Sequence, residues 1–270
     1  MNQEEQSRNL IIDLYKEGYI QTLWNAVEHK NRAEGWWLKS GIWSPWFFNM
    51  RHVGSSPKLF YDICCAMADM ISQHDVNLLI GVEMTGLPLA GGIAIALTSK
   101  HRRGQPIGFT RPLSKKARTA LEALQLLQDS SDIAVYGQKS LVEARLHNND
   151  IVSIIDDMAT DLESKIIARL LVLKEADRQN IKVQCNKIFY LLNRNKQIRQ
   201  KGLNFINEKE LQLYPAALEV NYIIEFDEAL PFLRSCMAPE EYEAIIAFQE
   251  NKEQFQDEKT RKELIKIASG

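Results

Sequence analysis

The sequence predicts an α/β protein built around a parallel sheet. Two apolar runs, 76–82 and 151–155, have the length of buried strands, and a segment with helical spacing follows each of them. The first of these segments, 86–97, is rich in small residues and should pack closely on a sheet. Strands that alternate with helices in this way are typical of a parallel sheet with helices on both faces.

The same patterns predict the remaining elements. Helices are expected over 4–19, 57–74, 165–180 and 239–270, and strands over 105–110 and 181–192, the last as one long strand or a pair. At 270 residues the chain can bury a sizeable core, as one large domain or one domain with a small appendage. The character changes after residue 206, so we predict a domain over 1–206 and a mainly helical C-terminal extension over 207–270.

Composition and charge narrow the function classes. A formal net charge of −2 leaves no overall basic footprint for nucleic acid. The polar, acidic start of the chain is not a signal peptide, and no run of 18 apolar residues predicts a membrane span. The four cysteines lack C-x-x-C spacing, and the adjacent Cys64 and Cys65 lie in an apolar helical pattern, as expected for reduced thiols in a cytoplasmic protein.

The most informative segment begins at the second apolar run. Asp156 and Asp157 follow that run, Thr160 and Ser164 lie in the turn after it, and a helical pattern comes next. Carboxylates accept hydrogen bonds from ribose hydroxyls, whereas hydroxyls and the first free N–H groups of a helix donate to phosphate. The segment therefore fits a sugar phosphate. An acid pair that only caps a helix explains it equally well, because short motifs often match by chance.

Further motifs surround this segment in a fixed order. They lie at 14–20, 37–49, 79–90, 136–143 and 192–202. Within the second of them, Leu-Lys-Ser-Gly at 38–41 is followed by Ser-Pro-Trp-Phe-Phe-Asn at 44–49, and the last begins Leu-Asn-Arg. Together with the acid pair, these motifs resemble the orotate phosphoribosyltransferases over roughly residues 8–206. The resemblance implies the type I phosphoribosyltransferase fold, a parallel sheet flanked by helices.

The resemblance also implies an activity and a site. The protein would be a glycosyltransferase of nucleotide biosynthesis that moves ribose 5-phosphate from phosphoribosyl diphosphate (PRPP) to a pyrimidine base, orotate. Mg²⁺ would arrive bound to PRPP, with no direct protein ligand, and the chain would form a homodimer. Asp156 and Asp157 would be catalytic. The PRPP-binding residues would be Lys39, Arg111, Thr160 and Ser164, and the base-binding residues would be Phe47, Phe48 and Arg194.

Ordinary structural roles compete with these assignments. A planar guanidinium suits a carboxylate or phosphate, and the alternative for Arg111 and Arg194 is a surface salt bridge. Two adjacent aromatic residues, Phe47 and Phe48, are usual in core packing. Lys39 is otherwise an ordinary surface lysine.

The chain departs from the family at positions that matter for catalysis. Thr85 replaces a diphosphate-binding lysine, Pro112 replaces the lysine that follows Arg111, and Ala134 stands where the mobile loop should supply its lysine. Leu162 replaces the glycine of the PRPP loop, where a side chain should obstruct a positive φ or close approach to phosphate. Each lost donor typically lowers the rate by a factor of about 100–1,000.

An insertion over 113–133 leaves two functions open. It carries Lys115, Lys116 and Arg118 ahead of an amphipathic helical pattern, and these are possible replacements for the lost loop cations. If its basic start covers the acid pair, an orotate-type transferase is favoured. If it packs away on the surface, a catalytically impaired relative that binds a nucleotide or a protein partner is favoured.

Overall fold

The computed structural model describes residues 3–38, 41–113, 115–128, 140–195, 198 and 218–270. The chain forms two compact units, one of residues 60–226 and the other of residues 1–59 together with 227–270. The predicted boundary at residue 206 lies outside the described residues. None of the helices in the described ranges is long and apolar enough to cross a membrane.

A six-stranded sheet forms the centre of the unit of residues 60–226. Its strands are β5 (Leu78–Gly81), β6 (Ile107–Thr110), β7 (Val142–Glu143), β8 (Asp150–Ala159), β9 (Val183–Asn193) and β10 (Glu219–Glu225). They are ordered β10-β9-β8-β5-β6-β7, and every neighbouring pair is parallel except β6 with β7. The predicted parallel α/β sheet is therefore confirmed, with β8 at its centre.

Four helices accompany this sheet. They are α3 (Pro57–Ile71), α4 (Gly86–His101), α5 (Ala120–Gln128) and α6 (Glu163–Arg178). Helix α4 starts very close to the strands, because a side chain at Gly81 or Gly86 would collide with backbone atoms of the neighbouring segment. A Cβ at Gly86 would meet the carbonyl of Ile155, so glycine allows α4 to begin directly against the strand that carries the acid pair.

The central strand is longer than the apolar run predicts. The pairing of β8 with β5 ends at Ile155, but its pairing with β9 continues through Asp156 and Met158 to Ala159. The acid pair thus lies inside β8 rather than after it, because β9 extends beyond the carboxyl end of β5. The segment expected as one strand or two is the single strand β9.

The unit of residues 1–59 and 227–270 combines both ends of the chain. It contains α1 (Gln3–Lys16), β1 (Ile20–Thr22), α2 (His29–Glu34), β2 (Trp36–Trp37), β3 (Trp43–Ser44), β4 (Trp46–Phe48), α8 (Pro239–Glu250) and α9 (Glu258–Ala268), and α7 (Phe226–Leu233) leads into its C-terminal part. Strands β1 and β4 pair with each other, as do β2 and β3, both antiparallel.

Specific polar contacts attach the C-terminal helices to the N-terminal segment. The carboxylate of Glu241, only 2% exposed, accepts from Thr22 Oγ1 at 2.6 Å and from the Tyr15 hydroxyl at 2.9 Å. The amide of Gln256 bonds both backbone groups of Trp43, accepting at 2.8 Å and donating at 3.2 Å. Of the region predicted as a mainly helical extension, 207–270, residues 227–270 belong to this unit, whereas residues 219–225 form strand β10 of the six-stranded sheet.

The tryptophan-rich segment is largely covered within this unit. Trp36, Trp43 and Trp46 are buried, whereas Trp37 is 63% exposed and lies under the guanidinium of Arg261, 4.9 Å from its ring centroid. A single chain therefore buries three of these four rings. The expected homodimer rests on the family resemblance and not on an uncovered aromatic surface.

Candidate functional site

The acid pair lies where β8 passes the end of β5. The side chain of Asp156 is buried, and its Oδ2 forms an ion pair with Lys165 Nζ at 2.7 Å. Its Oδ1 accepts from the backbone N–H of Asp157 at 2.9 Å. The ion pair joins the end of the strand to the first turn of α6.

Lys165 is not among the site residues that the sequence predicts. It is 4% exposed, and its ammonium also donates to the carbonyl of Met158 and to Ser164 Oγ, the latter at 3.2 Å. The ring of Tyr190 lies 5.9 Å away on the neighbouring strand. A lysine in the first turn of a helix normally suggests a solvated side chain. Its spacing of four from Arg169 places both cations on one face of α6, and only the structure shows that this face is buried.

Asp157 occupies a different environment from its neighbour. It is partly buried, and its Oδ1 accepts from the N–H of Met158 at 2.8 Å. Burial, followed by the nearby charge of Asp156, raises the pKa of Asp157 to about 7, against the opposing effect of Lys165. The pair therefore combines a carboxylate neutralised by a lysine with a carboxyl group that binds a proton near neutral pH.

Side chains of Asp161 and Asn195 hold the turn after β8 through hydrogen bonds. Asp161 Oδ1 accepts from the N–H of Glu163, the first residue of α6, at 3.1 Å. Asn195 donates its side-chain amide to the carbonyl of Thr160 at 3.1 Å, which ties the turn to the segment after β9. The acid pair thus does not act as the expected helix cap, because Asp161 bonds the first N–H of the helix. An incoming anion would have to compete with that carboxylate.

The end of β9 adds a buried polar cluster beside the turn. Arg194 is 4% exposed and donates its backbone N–H to the carbonyl of Ala159 at 2.8 Å, and burial lowers the pKa of its guanidinium. Asn193 donates to Glu225 Oε2 at 2.7 Å and accepts from the Tyr190 hydroxyl at 3.3 Å. The alternative of an exposed surface salt bridge is therefore wrong for Arg194.

Comparisons with known proteins identify the relationship. No protein-family model matches the chain. The orotate phosphoribosyltransferase of Sulfurisphaera tokodaii is 27% identical over 123 residues, which is 46% of this chain and 50% of that protein. The orotate phosphoribosyltransferase of Pseudomonas paraeruginosa is 40% identical over 83 residues, or 29% of this chain and 37% of that protein. The matched region thus spans half or less of these curated relatives.

Solved structures support the same relationship through the fold. The UMP synthase of Leishmania donovani has a TM-score of 0.61 at 15% identity, over 90% of this chain and 42% of that chain. The orotate phosphoribosyltransferase of Francisella tularensis has a TM-score of 0.54 at 15% identity, over 90% of this chain and 98% of that chain. The chain is a divergent relative of the orotate phosphoribosyltransferases. Its fold is that of the type I phosphoribosyltransferases.

Leu162 and the insertion over 113–133, which both depart from the orotate phosphoribosyltransferase pattern, share one hydrophobic cluster. Leu162 is fully buried, in the same hydrophobic cluster as Ala120, Leu124 and Leu127 of the inserted helix α5. Its φ is −100°, so the turn does not use the left-handed conformation that glycine would permit. The leucine thus packs in the cluster that includes the insertion, and its negative φ agrees with the expectation that it does not adopt the positive φ open to glycine.

The insertion begins at the turn. Glu163 Oε2 accepts from the backbone N–H of Ala120, the first residue of α5, at 2.5 Å. The start of α5 is thus fixed beside the first residue of α6. The basic side chains just before it, Lys115, Lys116 and Arg118, are exposed. Ala134 lies outside the described residues.

The other expected site residues have ordinary surroundings. Arg111 forms an ion pair with Glu143 at 3.2 Å, which agrees with its structural alternative. Phe48 is buried in β4 and Phe47 stacks on Trp36 with ring centroids 6.2 Å apart, both within the unit that combines the chain ends. Lys39 lies outside the described residues. The roles of these residues in PRPP or base binding remain predictions.

A separate cavity of about 680 Å³ lies at the opposite edge of the sheet. It is lined by the segments that lead into β5, β6 and β8, including Gln105, Arg145 and Asp150. These are the amino ends of the strands, whereas the acid pair lies toward their carboxyl ends. None of the predicted site residues that the structure describes lines this cavity.

Proposed function

We propose that the protein binds a pyrimidine ribosyl phosphate at the acid pair, as a relative of the orotate phosphoribosyltransferases with weak transfer activity. The observation that carries this proposal is the grouping of Asp156, Asp157, Ser164 and Arg194 around the ends of β8 and β9. In open α/β sheets, ligands bind outside the carboxyl ends of the strands. Free thiols at all four cysteines agree with a cytoplasmic location.

The proposed binding follows from the hydrogen-bonding capacity of these groups. The carboxyl group of Asp157 is only partly buried and can accept from a ribose hydroxyl or, when protonated, donate to it. The hydroxyl of Ser164 accepts from Lys165, so its own hydrogen is free to point to a phosphate oxygen. Arg194 supplies a buried cation directly after the end of β9 for the acidic group of a base such as orotate.

Weak transfer follows from the replaced cations. The departing diphosphate carries about three negative charges, which enzymes stabilise with fixed cations and N–H donors. Thr85 and Pro112 supply no positive charge where orotate phosphoribosyltransferases carry lysines, and Asp161 adds a negative charge beside the turn. Binding of the ribosyl group does not depend on those lysines.

Calorimetric titration with uridine 5′-monophosphate (UMP) tests the proposal. Wild-type protein should bind UMP, and Asp157→Ala should weaken binding by about tenfold or more, the scale for a hydrogen bond to a charged group. Asp177→Ala is the matched control, because Asp177 is exposed near the other end of α6. Absence of binding by any pyrimidine ribosyl phosphate would reject the proposal.

Orotate-type transfer itself is the second candidate function. It is favoured by the position of the insertion, since the bond between Glu163 and Ala120 fixes the residues after Lys115, Lys116 and Arg118 beside the turn. These cations would then replace the loop lysine, and Mg²⁺ would enter as its PRPP complex. The test is release of diphosphate from PRPP with a panel of bases. Turnover with orotate that falls at least about 100-fold when the three cations become alanine would support transfer.

A further inference from the structure

We propose that Lys165 supplies from the protein the positive charge that Mg²⁺ would bring to the site with its ligand, so that the site binds its ribosyl ligand without Mg²⁺. This inference rests on the proposed ribosyl phosphate binding and concerns the same site. Orotate phosphoribosyltransferase-like chemistry implies Mg²⁺ that arrives with PRPP. The question is whether the side chains around Asp156 and Asp157 suit such an ion.

The ammonium of Lys165 is fully engaged where a cation would act. It has three N–H donors, and three acceptors surround it: Asp156 Oδ2 at 2.7 Å, the carbonyl of Met158, and Ser164 Oγ at 3.2 Å. The ring of Tyr190 covers a further side. At 4% exposure, the side chain is not a surface lysine that could turn away at little cost.

The acid pair is correspondingly unsuited to a magnesium ion. Mg²⁺ requires near-octahedral oxygen ligands at about 2.1 Å and dehydrates reluctantly. Both oxygens of Asp156 already accept hydrogen bonds, one of them from the ammonium. An ion bound to Asp156 Oδ2 would lie within about 5 Å of Lys165 Nζ, so two cations would repel each other in a poorly solvated place. No group of three or more His, Cys, Asp or Glu side chains among the described residues could hold a metal ion.

Lys165 also acts on the phosphate side of the proposed site, through Ser164. By donating to Ser164 Oγ, it polarises that hydroxyl and leaves its hydrogen free for a phosphate oxygen. One lysine thus neutralises the carboxylate on the ribose side and strengthens a donor on the phosphate side. A cation bound between the protein and a ribosyl phosphate would have the same two effects.

The test compares UMP binding to the full-length protein in EDTA and in excess Mg²⁺. Wild-type protein should give dissociation constants that agree within about twofold in the two buffers. Binding that is at least about tenfold tighter with Mg²⁺ would overturn the inference and leave the proposed function intact. Absence of UMP binding in both buffers would instead overturn the proposed function, and the inference with it.

Substitution of the lysine makes the test specific. Lys165→Met should weaken UMP binding in EDTA by about tenfold or more, and Mg²⁺ should restore part of that loss. Lys174→Met is the matched control, because Lys174 lies on the same helix and makes none of the contacts of Lys165. Wild-type affinity of Lys165→Met in EDTA would refute the role of the lysine. If Lys165→Met does not fold, the double variant Asp156→Asn with Lys165→Met removes both members of the ion pair and replaces the single variant. If that variant also fails to fold, the comparison of wild-type protein in the two buffers decides by itself.

Discussion

Replacement of Leu162 by glycine restores the residue found in the PRPP loop of orotate phosphoribosyltransferases, yet it should destabilise this protein. Leu162 is fully buried in the cluster that α5 and α6 share. Removal of a buried leucine side chain typically lowers the free energy of unfolding by about 2–5 kcal/mol. The position precedes the first residue of α6, where glycine is an acceptable N-cap, so the helix itself should lose little.

The expected change is large enough to measure directly. The free energy of unfolding of a globular protein is about 5–15 kcal/mol, so the loss is a sizeable part of the total. With a urea m-value of about 3 kcal/mol/M for a chain of this size, the unfolding midpoint should fall by roughly 0.7–1.7 M. Circular dichroism in urea is a suitable assay. Leu162→Met is the matched control and should cost less than about 1.5 kcal/mol, because it nearly conserves volume.

One outcome would contradict the packing argument. A midpoint for Leu162→Gly within about 0.3 M of wild type would mean that the leucine does not hold α5 against α6. Any effect of the glycine would then be on ligand affinity and not on stability. Affinity for PRPP must therefore be measured separately from stability.

Three further predictions concern charge and assembly. Asp161→Thr should strengthen UMP binding by about 1–3 kcal/mol, because it removes a negative charge and frees the N–H of Glu163; unchanged affinity in calorimetry would count against the role of Asp161. The pKa of Asp157 is raised in the folded state, so the free energy of unfolding should fall as pH rises from about 4 to 7. Asp157→Asn lacks this loss, so urea unfolding should show it more stable relative to wild type at about pH 8 than at about pH 5. Light scattering should give about 62 kDa, twice the 31.0 kDa chain, and a value near 31 kDa would rule out the homodimer.

Local patterns determined the elements around the site. The apolar run at 151–155 and the periodic segment after it predicted β8 and α6, which are Asp150–Ala159 and Glu163–Arg178. Each pattern arises because one short segment buries its apolar side chains, and the spacing of apolar residues within that segment is visible in the sequence. The expectation that the acid pair lies toward the carboxyl end of a central parallel strand holds for the same reason.

Partners that are distant in sequence were decided only by the tertiary structure. The end of β8 depends on β9, whose pairing draws Asp156 into the strand. The burial of Lys165 depends on which face of α6 meets the sheet, and its spacing along the helix is silent on that choice. Leu162 looked like a defect in a phosphate loop until α5 supplied its neighbours. Glu241 bonds Thr22 across most of the chain, and because such contacts depend on the packing of whole elements, no local pattern predicts them.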